Sequence, residues 1–353
     1  YGSVTWFAND GNTLPTLTEA DEPLLVNGLR AQSVSTGDID GDGSLDVLAT
    51  SEIGNAIIWF QNSGGSSPSF DGYFVADFML SARDAVAADV DGDGDMDVVG
   101  TSSSENKVSW FESDGSMIPI FTERVVTRNA LGAWSVYADD VDADGDTDIV
   151  SASFTDGRIV LFMNDGATPP AWTELVVFAP EESVDPGAID VIGADMDGDG
   201  DTDLVAASVF LDKIAWYENI LVENPPPGPG EDPPPPTLIF TEHVITQSVD
   251  NEPGYAEGAS SVFAGDLDAD GDLDLVVTAA VNNRLAWFES NGQMPPVFFP
   301  RTVSDETLGG RSAVAADLNG DGRMDIAVAS ALDNSISTFL SLVGDTCMAF
   351  DAS

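Results

Sequence analysis

Asp89-Val90-Asp91-Gly92-Asp93-Gly94-Asp95-Met96-Asp97 sets carboxylates at positions 1, 3, 5 and 9 of a nine-residue turn, with glycine at position 6. Alternate side chains of a tightly curled loop point to one centre. A hard cation such as Ca²⁺ takes six to eight oxygens there. The expected donors are Asp89, Asp91, Asp93, the backbone carbonyl of Asp95, and Asp97. Gly94 lets the chain bend where a side chain would obstruct it.

The loop recurs, giving six in all. The other donor sets are Asp38, Asp40, Asp42 and Asp46; Asp140, Asp142, Asp144 and Asp148; Asp195, Asp197, Asp199 and Asp203; Asp266, Asp268, Asp270 and Asp274; and Asp317, Asn319, Asp321 and Asp325. Position 7, expected to act through its carbonyl, is Ser44, Asp146, Asp201, Asp272 and Arg323 in these loops. Position 6 is glycine every time, and position 2 is always apolar: Ile39, Val90, Val141, Met196, Leu267 and Leu318. Each loop therefore also plants an anchor in a core. Merely solvated acidic turns would not keep both features. An EF-hand would close on Glu at position 12 between helices. Here position 12 is Ala49, Gly100, Ser151, Ala206, Val277 and Val328. Short β-branched runs such as Val47-Leu48-Ala49-Thr50 flank the loops instead, so each loop reads as a β-hairpin turn.

The loop starts are 51, 51, 55, 71 and 51 residues apart. A period near 50 built of strands points to a propeller. Each repeat shows four strand signals, two flanking the loop and two after it. The third carries an aromatic pair: Trp6-Phe7, Trp59-Phe60, Trp110-Phe111, Trp216-Tyr217 and Trp287-Phe288, with Leu161-Phe162 and Thr338-Phe339 as departures. Neighbouring strand residues face opposite sides, so both faces of each sheet are expected to be buried. The N-terminus adds a third and fourth strand without a first and second. Three arrangements follow. The N-terminal strands complete the last of six blades, or they occupy an incomplete seventh, or they pair with a neighbouring molecule. Residues 224–236, rich in proline, read as an insertion within one propeller domain spanning 1–353.

These hairpins resemble FG-GAP/VCBS repeats, whose best-known relative is the propeller of integrin α subunits. The resemblance implies an all-β propeller of four-stranded blades with about six Ca²⁺ in the hairpin loops. It implies a weaker sixth site, where Asn319 replaces a carboxylate. Relatives of this kind include adhesion modules, lectins and polysaccharide lyases, so the label alone sets no function.

Composition narrows the field. The 353 residues carry 62 Asp and Glu against 11 Lys and Arg, a net charge of -51, and 27 of the acids sit in the six loops. The surface stays acidic with every loop filled, which makes nucleic acid and anionic membranes poor partners. The basic residues look scattered, with no cluster. No apolar run reaches membrane-spanning length. Cys347 is the one cysteine, so no intrachain disulfide forms. Low-affinity calcium loops need the millimolar calcium found outside cells, and a secreted or cell-surface location is expected. Tyr1 reads as the start of a processed form or fragment. His243 is the one histidine, in a strand-like run. Ser-His and Cys-His nucleophiles are nearly excluded, and the chain is expected not to be an enzyme. The leading expectation is a calcium-stabilised structural or adhesion module that self-assembles as a homo-oligomer or filament. The alternative is a carbohydrate-binding propeller with surface glycans as partners and Trp134 and Trp172 as candidate platforms.

Overall fold

The computed structural model describes residues 4–10, 12, 17–20, 24, 30–65, 68–181, 187–222, 237–247, 254–341 and 350–352. The proline-rich run 224–236 and Cys347 lie outside the described residues. A strand pair comes first, β1 (Phe7–Asn9) and β2 (Leu17–Glu19). Six four-stranded blades follow. Blade 1 is β3–β6 (Ala31–Gly37, Asp46–Ser51, Ala56–Asn62, Phe70–Ala76), and blade 2 is β7–β10 (Ala82–Ala88, Asp97–Ser102, Lys107–Glu112, Thr122–Thr127). Blade 3 is β11–β14 (Ala133–Asp139, Asp148–Ser153, Ile159–Asn164, Trp172–Phe178), and blade 4 is β15–β18 (Ala188–Ala194, Asp203–Ser208, Lys213–Val222, Thr237–Thr246). Blade 5 is β19–β22 (Ala259–Gly265, Asp274–Ala279, Arg284–Glu289, Phe299–Ser304), and blade 6 is β23–β26 (Gly310–Ala316, Asp325–Ser330, Ser335–Ser341, Phe350–Ala352). Every blade is an antiparallel meander in chain order. The 71-residue interval is explained by β17 and β18, which lengthen to ten residues each and pair out to Val222↔Thr237 at the base of the insertion.

The first strands of successive blades lie side by side around a central channel. Residues from all six of them line it. In blades 1 to 5 the second and third strands are buried on both faces, so they read as near-continuous apolar runs. In the third strands of blades 1, 2, 4 and 5 the tryptophan faces the next blade, and in blade 3 Leu161 does. Trp59 is fully buried in a cluster with Ala82, Ala85 and Val98 of blade 2, and Trp287 packs with Ala313, Ile326 and Val328 of blade 6. Five such inter-blade cores join blades 1 to 6 in order. The fourth strands alternate exposed and half-buried residues at the rim.

The ends follow the second of the three arrangements. The C-terminal strand β26 pairs with β25 and completes blade 6, so the N-terminal strands do not. Instead β1 and β2 form a two-stranded sheet in a seventh position. Val4 packs with Ala49, Ile58 and Phe60 of blade 1, and Trp6 meets Phe70. On the other side Asn9 Nδ2 donates to Leu318 O of blade 6 at 2.6 Å. The same bond ties Asn164 of blade 3 to Val90 O of blade 2, and Asn219 of blade 4 to Val141 O of blade 3, both at 2.8 Å. The N-terminal pair thus sits against blade 6 as each blade sits against the one before it.

Among the described residues, this seventh position has only its outer two strands. The inner half is an open slot, and the facing residues record it. Val314 of blade 6 is 50% exposed and Ile336 56%, and Val34 of blade 1 is 61% exposed, whereas Ile57, which matches Ile336, is fully buried. Thr338 stands where blades 1, 2, 4 and 5 put tryptophan, because no inner strands arrive for a large ring to cover. Ile57→Ala is therefore expected to cost about 2–5 kcal/mol of stability through lost burial and a cavity. Ile336→Ala should cost roughly 0.5 kcal/mol. Equilibrium denaturation of the two variants checks this directly, and equal losses would mean that the slot is filled.

Candidate metal centres

Every acidic loop hangs between the first and second strand of its blade. Position 9 opens the second strand: Asp46, Asp97, Asp148, Asp203, Asp274 and Asp325, each at most 1% exposed. One carboxylate oxygen accepts the N–H of position 2, as in Val90 to Asp97 at 3.1 Å and Val141 to Asp148 at 3.1 Å. The other accepts an N–H just past or at the end of the third strand, as in Ser113 to Asp97 at 2.7 Å and Asn164 to Asp148 at 2.8 Å. This aspartate therefore pins the loop to two strands as well as facing the cage. Sequence reasoning assigned it only to metal. Its fixed place seven residues after the apolar anchor was the available signal.

Position 1 accepts the N–H of the glycine at position 6, for example Gly94 to Asp89 at 3.0 Å and Gly322 to Asp317 at 2.9 Å. That bond needs the glycine in left-handed backbone, and φ runs from +84° to +100° at the six positions. Position 5 accepts the N–H of position 7 in the same way, as in Asp95 to Asp93 at 2.9 Å. The side chains of Asp95, Asp146 and Asp272 at position 7 lean outward against a glycine, whereas that of Asp201 turns back toward Asp199. A Cβ on Gly115 would collide with the carboxylate of Asp95, and one on Gly292 with that of Asp272. In those three loops the position-7 side chain is thereby turned from the cage, as a carbonyl donor there would require. Both glycines also have positive φ. Gly292→Ala is expected to cost about 1–3 kcal/mol, read as a lower denaturation midpoint. A neutral substitution would show the turn to be free of this contact.

In five loops three carboxylates bring ligand atoms within 4.8 Å of one another: Asp38, Asp40 and Asp42; Asp89, Asp91 and Asp97; Asp140, Asp142 and Asp148; Asp195, Asp197 and Asp199; Asp266, Asp268 and Asp274. The sixth shows no such trio among the described residues. There Asn319 accepts from the Asp321 N–H at 2.9 Å, and Arg323 Nη1 lies 3.8 Å from Asp321. Burial, with the charges of neighbouring loop carboxylates adding to it, raises Asp97, Asp148 and Asp274 to about 7. Several loop oxygens, Oδ1 of Asp38, Asp89, Asp91 and Asp268, are buried without a hydrogen-bond partner. Buried carboxylate oxygens without partners are costly. An all-oxygen donor set with unpartnered atoms fits a hard divalent cation. It has no nitrogen or sulfur for zinc.

Away from the loops, His243 stacks on Trp216 at 4.3 Å and contacts Glu218 through Nε2 at 2.8 Å, a surface partnership. Trp172 packs on the core between blades 2 and 3. In the channel the first strands contribute Ser33, Asp84, Ser135, Asp190, Ser261 and Ser312 in turn. Ser33 Oγ donates to Asp84 at 2.5 Å, and the Val262 N–H donates to Asp190 at 2.8 Å. Burial raises both carboxyls, Asp190 to about 7. Three of the eleven basic residues are brought together in space. Arg30, Arg83 and Arg311 meet at one channel mouth beside Trp134, Phe154 and Phe210.

A family model described as FG-GAP-like repeat matches residues 38–99, 89–151, 140–206 and 266–328. The chain belongs to the FG-GAP-like repeat family. The matched stretches begin on the first aspartate of a loop and run past the next loop, so this FG-GAP repeat is two loops wide. No curated protein matches the FG-GAP chain. Solved structures share its architecture. A lectin of Agrocybe aegerita that recognises non-reducing terminal N-acetylglucosamine is 18% identical, with TM-score 0.60 over 99% of this chain and 89% of the lectin. A protein from Lactobacillus plantarum is 13% identical, with TM-score 0.64 over 99% and 94%. The periplasmic gluconolactonase of Pseudomonas aeruginosa is 14% identical, with TM-score 0.56 over 99% and 95%. This last neighbour corrects the expectation that the FG-GAP chain is not an enzyme. A lactonase is built on the same architecture, so a shortage of histidine and cysteine gives no ground for excluding catalysis.

Proposed function

We propose that this FG-GAP propeller is a calcium-stabilised extracellular adhesion module. The observation that carries the reading is the set of oxygen-only cages with unpartnered carboxylate oxygens, repeated around the ring. Calcium would be held by positions 1, 3, 5 and 9 and the carbonyl of position 7. It supplies charge neutralisation and rigidity to the hairpins that anchor each blade. Sites of this class fill at extracellular calcium levels, and the acidic surface suits a secreted or surface-bound protein. Self-assembly has a route in the open slot. A second copy of the chain is the occupant we assign to it, since every other inter-blade face of the ring receives the same repeat.

Light scattering in calcium and in chelator tests the reading. Particles larger than one chain in calcium, reduced to monomer by chelator and by Ile336→Asp, are expected. A monomer at all concentrations in calcium would remove the self-assembly. Carbohydrate recognition is the second reading. The ladder of Trp134, Phe154 and Phe210 at the channel mouth favours it, and so does the shared architecture with the N-acetylglucosamine lectin.

A further inference from the structure

We propose that the channel mouth binds a carboxylated saccharide, a uronate; this deepens the carbohydrate reading and rests on it. The mouth opens on a cavity of about 680 Å³, within the range of small-ligand sites. Three of the eleven basic residues of a chain with net charge -51 gather there, from blades 1, 2 and 6. Glu52 balances part of that charge, since its carboxylate pairs with Arg30 and Arg83 at 2.8 Å each. Arg311 is exposed and makes no ion pair among the described residues. At the rim three arginines thus face one glutamate, in a chain of net charge -51, and Asp84 and Asp190 lie deeper in the channel. Such a focus draws an anion and holds it by charge-assisted hydrogen bonds.

The apolar side of the mouth is aromatic and ordered. The guanidinium of Arg83 lies 4.0 Å from the centroid of Trp134. Trp134 stacks on Phe154 at 4.8 Å, and Phe154 meets Phe210 edge-on at 5.4 Å. Phe210 is 52% exposed, so the ladder offers a ring to solvent rather than to a core. Flat apolar rings beside polar groups suit the C–H faces of a pyranose. Deeper in the channel lie Asp84 and Asp190 with the serines between them. These acceptors suit hydroxyl donors. A ligand with a carboxylate for the arginines, a pyranose face for the rings and hydroxyls for the channel is a uronic acid. A neutral sugar would leave Arg311 unanswered, and a simple anion would leave the rings unanswered.

Isothermal titration calorimetry in calcium separates the two layers of this reading, with trigalacturonate and its carboxyl-reduced neutral counterpart as probes. Saturable binding of trigalacturonate is expected, with the neutral trisaccharide at least about tenfold weaker. Arg311→Ala should weaken trigalacturonate about tenfold and leave the neutral trisaccharide unchanged. Its melting temperature should match the parent, because Arg311 holds nothing in the fold. Phe210→Ala, at another exposed position, should weaken both sugars. Equal binding of the two trisaccharides, or an Arg311→Ala variant that binds like the parent, overturns the uronate assignment and leaves carbohydrate recognition standing. No heat with either sugar overturns both.

Discussion

Chelation is expected to lower the melting temperature of this protein by roughly 10 °C. A ligand that binds only the folded state stabilises it by RT ln(1 + [L]/Kd), which is about 1.4 kcal/mol per site at free calcium ten times Kd. Five carboxylate cages then contribute roughly 7 kcal/mol, on the scale of a whole domain's stability. In a chain of this size each kcal/mol moves the midpoint by about 1–2 °C. Without the ion the cage carboxylates also repel one another, and their unpartnered oxygens stay desolvated. Calcium added back should restore the melt. Magnesium should restore little of it, since Mg²⁺ demands a tighter octahedron and sheds water reluctantly. The check is a calorimetric scan in calcium, in chelator, and in chelator followed by each ion. A melt unmoved by chelator would reduce the six loops to acidic turns.

The largest single-residue effect should come from Asp148→Ala, at about 3–5 kcal/mol in calcium. Two buried backbone donors, the N–H groups of Val141 and Asn164, lose their acceptor, at about 1–3 kcal/mol each. The Asp142 N–H, 3.2 Å from the same carboxylate, loses one too. The third cage loses a ligand as well. In chelator the metal part vanishes and the cost should fall to the hydrogen-bond part alone. Asp146→Ala, one loop position away, should cost less than about 1 kcal/mol in either buffer, because its side chain leans out of the cage. Urea midpoints of the variants in both buffers separate the two roles of Asp148. Equal losses in calcium and chelator would make it a clamp and nothing more.

The parts of the molecule legible in the sequence are those fixed by local periodicity. The loops announce themselves by alternating aspartates and an invariant glycine. The blades announce themselves by β-branched runs at a 51-residue step. Trp59-Phe60 and its counterparts could be placed because a strand buried on both faces has nowhere polar to put either ring. The channel mouth was not legible in the same way. Arg30, Arg83 and Arg311 lie more than 50 residues apart along the chain and meet only when the ring closes. A column through the second residue of each first strand (Gln32, Arg83, Trp134, Ile189, Ser260, Arg311) would have found it, since that column is the rim of the channel. Trp134 lies on the same column. Its indole covers Arg83 of the neighbouring blade 2 at the mouth. The N-terminal strands were ambiguous because a half-blade and a borrowed strand have the same sequence pattern. The Asn9 bond to blade 6 and the packing of Val4 and Trp6 on blade 1 distinguish them.

That half-blade gives the ring a defined place to fail under load. A hoop closed by equal joints spreads tension evenly, and no joint yields first. Here, among the described residues, the joint between blades 6 and 1 has a thin outer bridge and no inner strands, while the other five joints carry full apolar cores. Tension across the molecule concentrates on the Asn9–Leu318 contact and the small cluster around Val4. Once these part, the arc can straighten one blade at a time from that end, as a zip runs from its open end. Each blade then releases a fixed length of chain. With the loops filled as proposed, the ring would give way in steps under a pull, and the ion in each remaining loop would raise the force of the next one.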